Sequence, residues 1–182
     1  MTIFIDYLQT PLGLFEFMAT EHQIFQAIFC GNKPESDRQI RVNHLTNACK
    51  YQLTEYFAGH RQYFDLPLAP KGTSFQQSVW GCLTSIPFGA IKSYSEIALL
   101  LNNPKASQAV GGANARNPIT LIIPCHRVIS KNNLLTGYAG GIARKLWLLN
   151  HEGIGLPFNN ICYQHDLQQE IKQRQMKTQF LL

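Results

Sequence analysis

The chain has 182 residues, of which 45% are hydrophobic and only 15% carry a charge. This composition is typical of a compact globular protein and excludes a fibrous or a disordered one. No apolar run approaches the roughly 18 residues that a membrane span needs, and the amino terminus lacks the basic and apolar regions of a signal peptide. We therefore expect no membrane partner and a reducing compartment.

The net charge is +5, but it is distributed unevenly along the chain. Residues 1–70 carry a net charge of −2, whereas residues 71–150 hold eight Lys or Arg against the single acid Glu96, a net charge of +7. Residues 151–182 are balanced. A basic segment beside a mildly acidic one indicates two modules, of which the second meets an anion.

The first module is predicted to contain a small antiparallel sheet and one helix. Short runs rich in Ile and Phe, separated by turn residues, indicate strands over Ile3–Tyr7, Leu12–Met18 and Gln23–Phe29. Asn43 is placed to cap a helix whose apolar face includes Phe57 and which ends at Gly59. The stretch after His60 contains Pro and Gly and is typical of a linker, so we place the boundary of the amino-terminal domain at residue 70.

The second module is predicted to be helical. Two capping-box patterns stand ahead of apolar residues at helical spacing, Thr73 with Gln76 and Ser93 with Glu96. A third helix is predicted over Lys105–Val110, with glycines at its end. Two short helices joined by a turn of about three residues are typical of a helix-turn-helix.

The third predicted helix is composed of small residues rather than of several base-reading side chains. Small residues allow close approach to a nucleic-acid backbone or a narrow groove, which favours DNA contact without sequence reading. The residues concerned are Ala106, Ala109, Gly111 and Gly112. Ordinary helix packing is the alternative interpretation. Lys92, Lys105 and Arg116 belong to the basic segment, and we expect them to contact phosphates.

One constellation has reactive potential, at the end of an apolar run, Ile119–Ile123, that we predict to be a buried strand. Cys125 follows this run and is itself followed by His126 and an arginine. A thiolate is the nucleophilic form of cysteine, and a neighbouring base or positive charge is needed to generate it at neutral pH. A catalytic histidine also needs an acid to fix its tautomer, for which Glu96 and Glu152 are the candidates.

The other cysteines carry no recognisable metal or redox pattern. The five cysteines are an odd number, separated by gaps of 19 to 43 residues, which excludes the spacing of a zinc knuckle or a redox dithiol. We expect the other four to be structural and no metal to be bound.

The sequence around Cys125 resembles the active-site signature of the O6-alkylguanine-DNA alkyltransferases. The central run is Pro124-Cys125-His126-Arg127-Val128, preceded by Asn117-Pro118 and followed by Gly137-Tyr138-Ala139-Gly140-Gly141 and His151-Glu152-Gly153. Upstream, the likeness includes Gly72-Thr73-Ser74-Phe75-Gln76, Ser93-Tyr94 and Asn103-Pro104-Lys105-Ala106. It covers residues 72–155, and the predicted amino-terminal sheet and helix suit the family's variable first domain.

This resemblance implies DNA repair by transfer of an alkyl group from O6 of guanine, or less readily O4 of thymine, to Cys125. His126 would take the thiol proton through a water, and Glu152 would orient His126. Asn117 would brace the turn that presents the cysteine, and Tyr94 would hydrogen-bond the base beside the rotated phosphate. The alkylated nucleotide would be flipped out of the duplex, and each molecule would react once, without a cofactor.

The resemblance also implies a base pocket. The carbonyls of Cys125 and Val128 would receive the exocyclic amine of guanine, and the loop Tyr138–Gly140, with Ala139 at its centre, would close over the base. Gln108 stands where family members commonly carry an arginine that fills the gap left by the flipped nucleotide. Because glutamine lacks the charge and the planar stacking surface of arginine, we expect slower flipping than in an arginine-bearing relative.

Two other functions are compatible with parts of this pattern. A lesion-binding protein would flip alkylguanine without repairing it, but relatives of that kind lack the acceptor cysteine. A cysteine hydrolase would use Cys125 and His126, but it would be expected to have an oxyanion site and to turn over.

The expected architecture is α+β, with a small antiparallel sheet-and-helix domain over residues 1–70. A helical, winged helix-turn-helix-like domain over residues 71–155 would contain the active site. Residues 156–182 are a Gln-rich tail to which we assign no function. We expect a monomer whose partner is double-stranded DNA that contains alkylated guanine. The cytoplasm of a bacterium is the expected location, with the nucleus of a eukaryote as the alternative.

Overall fold

A computed structural model describes residues 2–30, 39–131, 135 and 137–155, and the predicted tail lies outside them. An antiparallel sheet of three strands opens the chain: β1 (Phe4–Thr10), β2 (Gly13–Ala19) and β3 (Ile24–Phe29). The predicted sheet is confirmed, and each strand begins one residue later than its predicted start.

Helix α1 (His44–Phe57) packs against this sheet and begins at the predicted cap. The Asn43 side chain accepts a hydrogen bond of 2.9 Å from the Thr46 amide, and the Thr46 hydroxyl accepts one of 2.9 Å from the Asn43 amide. These reciprocal bonds satisfy two backbone donors that a helix start leaves without partners. Phe57, predicted on the buried face, is half-buried, and its neighbour Tyr56 is fully buried instead.

Helices α2 (Ser74–Thr84) and α3 (Tyr94–Leu100) begin at the two predicted capping boxes, both of which are formed. The buried residues of α2, which include Val79, Trp80 and Leu83, follow the helical spacing that the sequence indicated. The two helices pack against each other and against the helix that follows them. The predicted helix-turn-helix consists of α3 and that following helix, and their packing against each other agrees with the prediction.

Helix α4 (Ser107–Ala115) differs from its prediction at both ends. It begins two residues after Lys105, and Gly111 and Gly112, predicted to end it, lie inside it. Glycine costs about 1 kcal/mol in a helix interior because of its backbone entropy. Packing against α2 and α3 offsets this cost, and the buried Trp80 indole adds a hydrogen bond of 2.9 Å to a carbonyl of α4.

The apolar run Ile119–Ile123 is a tight turn, so its prediction as a strand was wrong. Its side chains are buried, but Leu121 has a left-handed φ of 71°. The Ile123 amide donates to the Ile119 carbonyl at 3.0 Å, which closes the turn on itself. Burial of five consecutive residues therefore reflects a compact loop inside the core, which apolar composition alone does not distinguish from a strand.

The remaining elements complete the helical part of the fold. A short turn of 3₁₀ helix (Cys125–Arg127) leads into β5 (Val128–Ile129), which pairs in parallel with β4 (Lys92–Ser93). Helix α5 (Ile142–His151) ends just before Glu152. No helix in the described part of the chain is long and apolar enough to cross a membrane.

One hydrophobic cluster continues from the sheet into the helical part of the fold. It includes Phe15 and Phe17 of β2, Leu53 of α1, Leu83 of α2 and Leu148 of α5. The architecture is therefore α+β, as predicted, with the amino-terminal module packed directly on the helical one. The domain boundary at residue 70 stays a prediction.

Candidate active site

The tight turn at residues 118–124 presents Cys125. Asn117 braces this turn from inside: its side-chain amide donates to the Ile123 carbonyl at 2.8 Å, and its side-chain oxygen accepts from the Ile119 amide at 3.0 Å. Cys125 stands at the start of the 3₁₀ turn and is 2% exposed. The thiol is therefore held in a fixed place within the protein interior.

His126 and Glu152 form a fully buried pair. The Nε2 atom of His126 lies 2.8 Å from Oε1 of Glu152. Burial raises the pKa of Glu152, but hydrogen bonds from His126 and Arg127 outweigh this effect and hold the pKa at about 2. An ionised carboxylate can only accept hydrogen bonds, so Nε2 carries the ring proton and Nδ1 keeps its lone pair.

Arg127 completes the charge balance of this site. Its Nε and Nη2 atoms donate to the two oxygens of Glu152 at 2.8 Å and 3.0 Å, in the two-pronged geometry that suits a carboxylate. Its Nη1 atom donates to the Ile86 carbonyl at 2.6 Å. Glu96, the other candidate partner of His126, instead bonds the backbone and side chain of Ser93 at the start of α3.

The protonation states of the pair suit proton transfer from the thiol to the imidazole. Burial raises the pKa of the Cys125 thiol, while Asn117, Lys145 and Tyr138 act in the opposite direction. Burial lowers the pKa of His126, and the contact with Glu152 opposes that shift only in part. At neutral pH the cysteine is consequently a thiol and the histidine a neutral base.

An open cleft of about 520 Å³ lies between helices α3 and α4 and the loop that precedes α5. Its lining joins residues that the sequence assigned separately to DNA contact and to the base pocket: Tyr94, Gln108, Gly111, Tyr138 and Ala139. A side chain at Gly140 would begin 2.7 Å from the Tyr138 ring, so only glycine fits there without a shift. The loop is further held by Arg144, whose Nη1 atom donates to the Gly140 carbonyl at 2.6 Å.

Two family models match this chain, and together they span almost all of its described part. The 6-O-methylguanine DNA methyltransferase DNA binding domain matches residues 74–154, and the ribonuclease-like domain of the same name matches residues 3–70. A Methanosarcina acetivorans methylated-DNA–protein-cysteine methyltransferase is 58% identical over 148 residues, which are 80% of this chain and 95% of that protein. The chain belongs to the 6-O-methylguanine DNA methyltransferase family. The resemblance inferred from the sequence is thereby confirmed.

Further relatives and solved structures support this family membership. The constitutive methylated-DNA–protein-cysteine methyltransferase of Bacillus subtilis is 56% identical over 154 residues, covering 80% of this chain and 93% of that protein. The Mycobacterium tuberculosis O6-methylguanine methyltransferase structure superposes with a TM-score of 0.77 at 37% identity, over 86% of this chain and 96% of its own. The structure of Mycobacterium tuberculosis OGT in complex with DNA gives a TM-score of 0.75 at 38% identity, over 82% and 92% of the two chains.

In this methyltransferase-family chain, the predicted DNA contacts occupy different surroundings. Lys105 and Arg116 are exposed at the two ends of α4. Between them, Gln108 and Ala109 are exposed and Ala106 is half-buried. Gly112 is half-buried in the same helix. Lys92 is half-buried in β4 and lines a separate hollow with Glu96, Ser130 and Lys131.

Sequence reasoning missed several groups that contact the site. Lys145 is fully buried, and its Nζ atom donates to the Val128 carbonyl at 2.6 Å. Asn114 donates to the Cys125 carbonyl at 3.2 Å. These are the two carbonyls that the family resemblance assigns to guanine. Lys145 had a usable signal, because it lies three residues after Ile142 and four before Leu149, on the buried face of the helix.

Lys145 also places a positive charge near the thiol. Burial lowers the pKa of Lys145 to about 8, and the Cys125 thiolate opposes that shift. The attraction works in both directions, since Lys145 lowers the pKa of Cys125. Within the described residues, no group of three His, Cys, Asp or Glu side chains is arranged to hold a metal ion.

Proposed function

We propose that this protein repairs duplex DNA by transferring the alkyl group, typically methyl, from O6 of guanine to the sulfur of Cys125. O4-alkylthymine is the less readily used substrate. The observation that most strongly supports this proposal is the buried Cys125 thiol, next in the chain to a neutral His126 whose Nε2 is hydrogen-bonded to the ionised Glu152. The membership of the family and the open cleft lined by Tyr94 and Tyr138 support the same reaction.

In the proposed reaction, Nδ1 of His126 accepts the thiol proton of Cys125 through a water molecule. The thiolate attacks the alkyl carbon, a carbon–sulfur bond forms, and the carbon–O6 bond breaks. The electron pair of the broken bond goes to the guanine ring, which leaves as neutral guanine after it gains a proton. Tyr94 would hydrogen-bond the base at N3 and so help the leaving guanine to accept that proton.

The imidazolium that forms on His126 is stabilised by Glu152 at 2.8 Å. The positive charge of Lys145 also favours the thiolate form of Cys125. The product is a thioether, which water does not cleave under mild conditions. We therefore propose that each molecule reacts once and needs no cofactor.

The alkyl carbon of a stacked base is blocked by its neighbours, so the nucleotide must leave the duplex before the thiolate can attack. This flipping costs a few kcal/mol. We propose that helix α4 enters the minor groove, where its small residues allow close approach, and that Gln108 occupies the gap in the duplex. The cleft between α4 and the loop Tyr138–Gly140 would then receive the base.

All the reacting groups named above come from one chain, which supports action as a monomer. The proposed partner is double-stranded DNA that contains alkylated guanine. The proposed location remains the cytoplasm of a bacterium.

Intact-mass measurement after incubation with an O6-methylguanine duplex tests this function. We expect one methyl group per molecule, located on the peptide that contains Cys125, and none in a Cys125→Ser variant. Cys82 is the most exposed cysteine among the described residues, so a Cys82→Ser variant is the matched control and should still be methylated.

The same measurement separates the two alternative functions. Tight binding of the duplex with no gain in mass would indicate a lesion-binding protein. Release of a modified product with no gain in mass would indicate a hydrolase. Either result contradicts the proposed alkyl transfer.

A further inference from the structure

The amino-terminal module contributes a hydrogen bond to the proposed catalytic pair. The hydroxyl of Tyr56, in α1, donates to Oε1 of Glu152 at 2.7 Å, although the two residues are 96 positions apart. This oxygen is the one that also contacts Nε2 of His126. The glutamate that orients the histidine is thus itself held by a residue of the other module.

The Tyr56 side chain has little freedom to move. It is fully buried, and its ring packs against four neighbouring rings: Phe57, Phe64, Phe88 and His151. Its backbone carbonyl lies 2.7 Å from Nε2 of His151, the last residue of α5, which directly precedes Glu152. The hydroxyl is therefore aimed at Glu152 by packing on every side of the ring.

The hydroxyl of Tyr56 is a donor throughout the working pH range. Burial and the nearby charge of Glu152 raise the pKa of Tyr56 above its ordinary value. An ionised Glu152 can accept hydrogen bonds but cannot donate them, so the direction of this bond is fixed. Oε1 of Glu152 consequently accepts hydrogen bonds from three side chains, those of Tyr56, His126 and Arg127.

We propose that Tyr56 is a positioning residue for alkyl transfer, whose hydroxyl holds Oε1 of Glu152 against His126 and sets the basicity of that histidine. The proposal rests on the function proposed above. A hydrogen-bond donor that shares Oε1 reduces the negative charge on that oxygen, so Glu152 stabilises the imidazolium form of His126 less. Tyr56 therefore keeps the histidine neutral at lower pH than the pair alone would.

Other charged and titratable groups face this pair, and they remain in place when the hydroxyl is removed. Arg127 and Lys145 both lower the pKa of His126. Cys125 precedes His126 in the 3₁₀ turn, and the His151 ring lies against the Tyr56 ring at a tilt of 60°, with 5.1 Å between the ring centroids. A change in the pH profile on loss of the hydroxyl alone can thus be assigned to the Tyr56–Glu152 bond.

The test is the single-turnover rate of methyl transfer from a saturating O6-methylguanine duplex, measured between pH 5 and 8 in the wild-type protein and in Tyr56→Phe. A hydrogen bond to a charged group is worth enough to move a pKa by about one unit. We expect the acidic limb of the rate profile to move up by that amount, with an approximately tenfold lower rate below the limb. The half-saturating duplex concentration should not change.

Tyr7→Phe is the matched control. It removes another tyrosine–glutamate hydrogen bond of the same module, from Tyr7 to Glu16 at 2.9 Å, in the sheet and away from the site. Its pH profile should equal that of the wild-type protein. A limb that stays in place in Tyr56→Phe, even with lowered thermal stability, would assign Tyr56 a structural role only and overturn the proposal.

Replacement of Tyr56 by 3-fluorotyrosine provides a test that does not depend on how well the phenylalanine variant folds. Fluorine makes the phenol a stronger donor with almost no change in shape, so the acidic limb should move to lower pH. An unchanged or raised limb contradicts the proposal. A wild-type protein that gains no methyl group at Cys125 would instead contradict the proposed function, so the two failures are distinguishable.

Discussion

At the scale of single residues, Glu152 determines how the site is held together. It is buried, and its two oxygens accept from Tyr56, His126 and Arg127 at distances between 2.7 and 3.0 Å. A buried carboxylate without such partners would be costly. The same bonds that make Glu152 tolerable in the core also fix the tautomer of His126, so stability and the proposed chemistry depend on one group.

This arrangement predicts a loss of stability in acid. The pKa of Glu152 is about 2 in the folded protein and 4.5 ordinarily, so its contribution is complete above pH 4.5 and lost as pH falls toward 2. The loss amounts to about 3 kcal/mol. The lowered pKa of His126 also reduces the stability of the folded protein as the pH falls below 6.5. Below that pH the histidine takes up a proton more readily in the unfolded chain than in the folded protein.

Urea unfolding at pH 7, 4.5 and 3 measures this effect. Glu152→Gln should be less stable than the wild-type protein at pH 7, and the difference should shrink as the pH falls. Glu21→Gln, which changes an exposed carboxylate in the turn between β2 and β3, serves as the control. A constant difference between Glu152→Gln and the wild-type protein across this pH range would contradict the assigned role of Glu152.

The residues that sequence reasoning found and missed differ in one physical respect. Cys125, His126 and Glu152 lie in the short sequence motifs that carry the family resemblance, whereas Tyr56 reaches the site only because α1 packs on the helical module. In a sequence, Tyr56 is one more aromatic residue beside Phe57. Contacts made across 96 positions depend on the packing of the two modules, and no short pattern encodes them.

At the scale of elements, the sequence predicted helix boundaries correctly where a nearby side chain caps the helix. Its prediction was wrong where packing against other helices determines where the helix ends. The caps at Asn43, Thr73 and Ser93 are satisfied by residues three positions away. The sequence predicted all three caps, but it predicted a full capping box only at Thr73 and Ser93. Helix α4 has no side-chain cap, and it continues through Gly111 and Gly112 because α2 and α3 support it. Glycine is a stop signal only where the helix lacks such support.

A residue of helix α4, Gln108, allows a test of nucleotide flipping. Gln108 is exposed and lines the cleft, so Gln108→Arg adds a charged, planar side chain where the flipped nucleotide leaves a gap. We expect repair of an O6-methylguanine duplex to be about threefold faster or more. Methyl transfer from the free base, which needs no flipping, should not change, and single-turnover rates on both substrates measure the difference.

An arginine placed elsewhere distinguishes this effect from general attraction to DNA. Asn103 is exposed in the turn before α4 and outside the cleft, so Asn103→Arg adds the same charge without reaching the cleft lining. It should strengthen duplex binding without the gain in single-turnover rate at saturation. Equal acceleration of duplex and free base by Gln108→Arg would exclude a role in flipping.

At the scale of the whole molecule, the basic charge of the second module is divided between two tasks. Arg127 and Lys145 are buried in the active site, and Arg144 holds the loop through the Gly140 carbonyl. Their charges are counted in the net +7 of residues 71–150, yet they support the site rather than the surface. The net charge counted along this module therefore overstates the positive charge on its surface, and the position of the DNA-facing surface stays a prediction.

Lys92, Lys105 and Arg116 are the cations that we assign to phosphate contact, and the salt dependence of binding tests that assignment. Each phosphate contact contributes about 0.9 to the slope of log K against log salt concentration. The triple alanine variant should thus lower the slope by about 3, equally for duplexes of any sequence, and leave methyl transfer from the free base intact.

Lys50→Gln removes a cation that pairs with Asp6 at 2.9 Å in the amino-terminal module and should leave the slope unchanged. If the triple variant keeps the wild-type slope, the DNA lies on a different face, because counterion release cannot persist once the contacting charges are gone. A slope reduced by about one third of the expected amount would instead exclude two of the three, and Lys92, which shares its hollow with Glu96, would be the first to be reassigned.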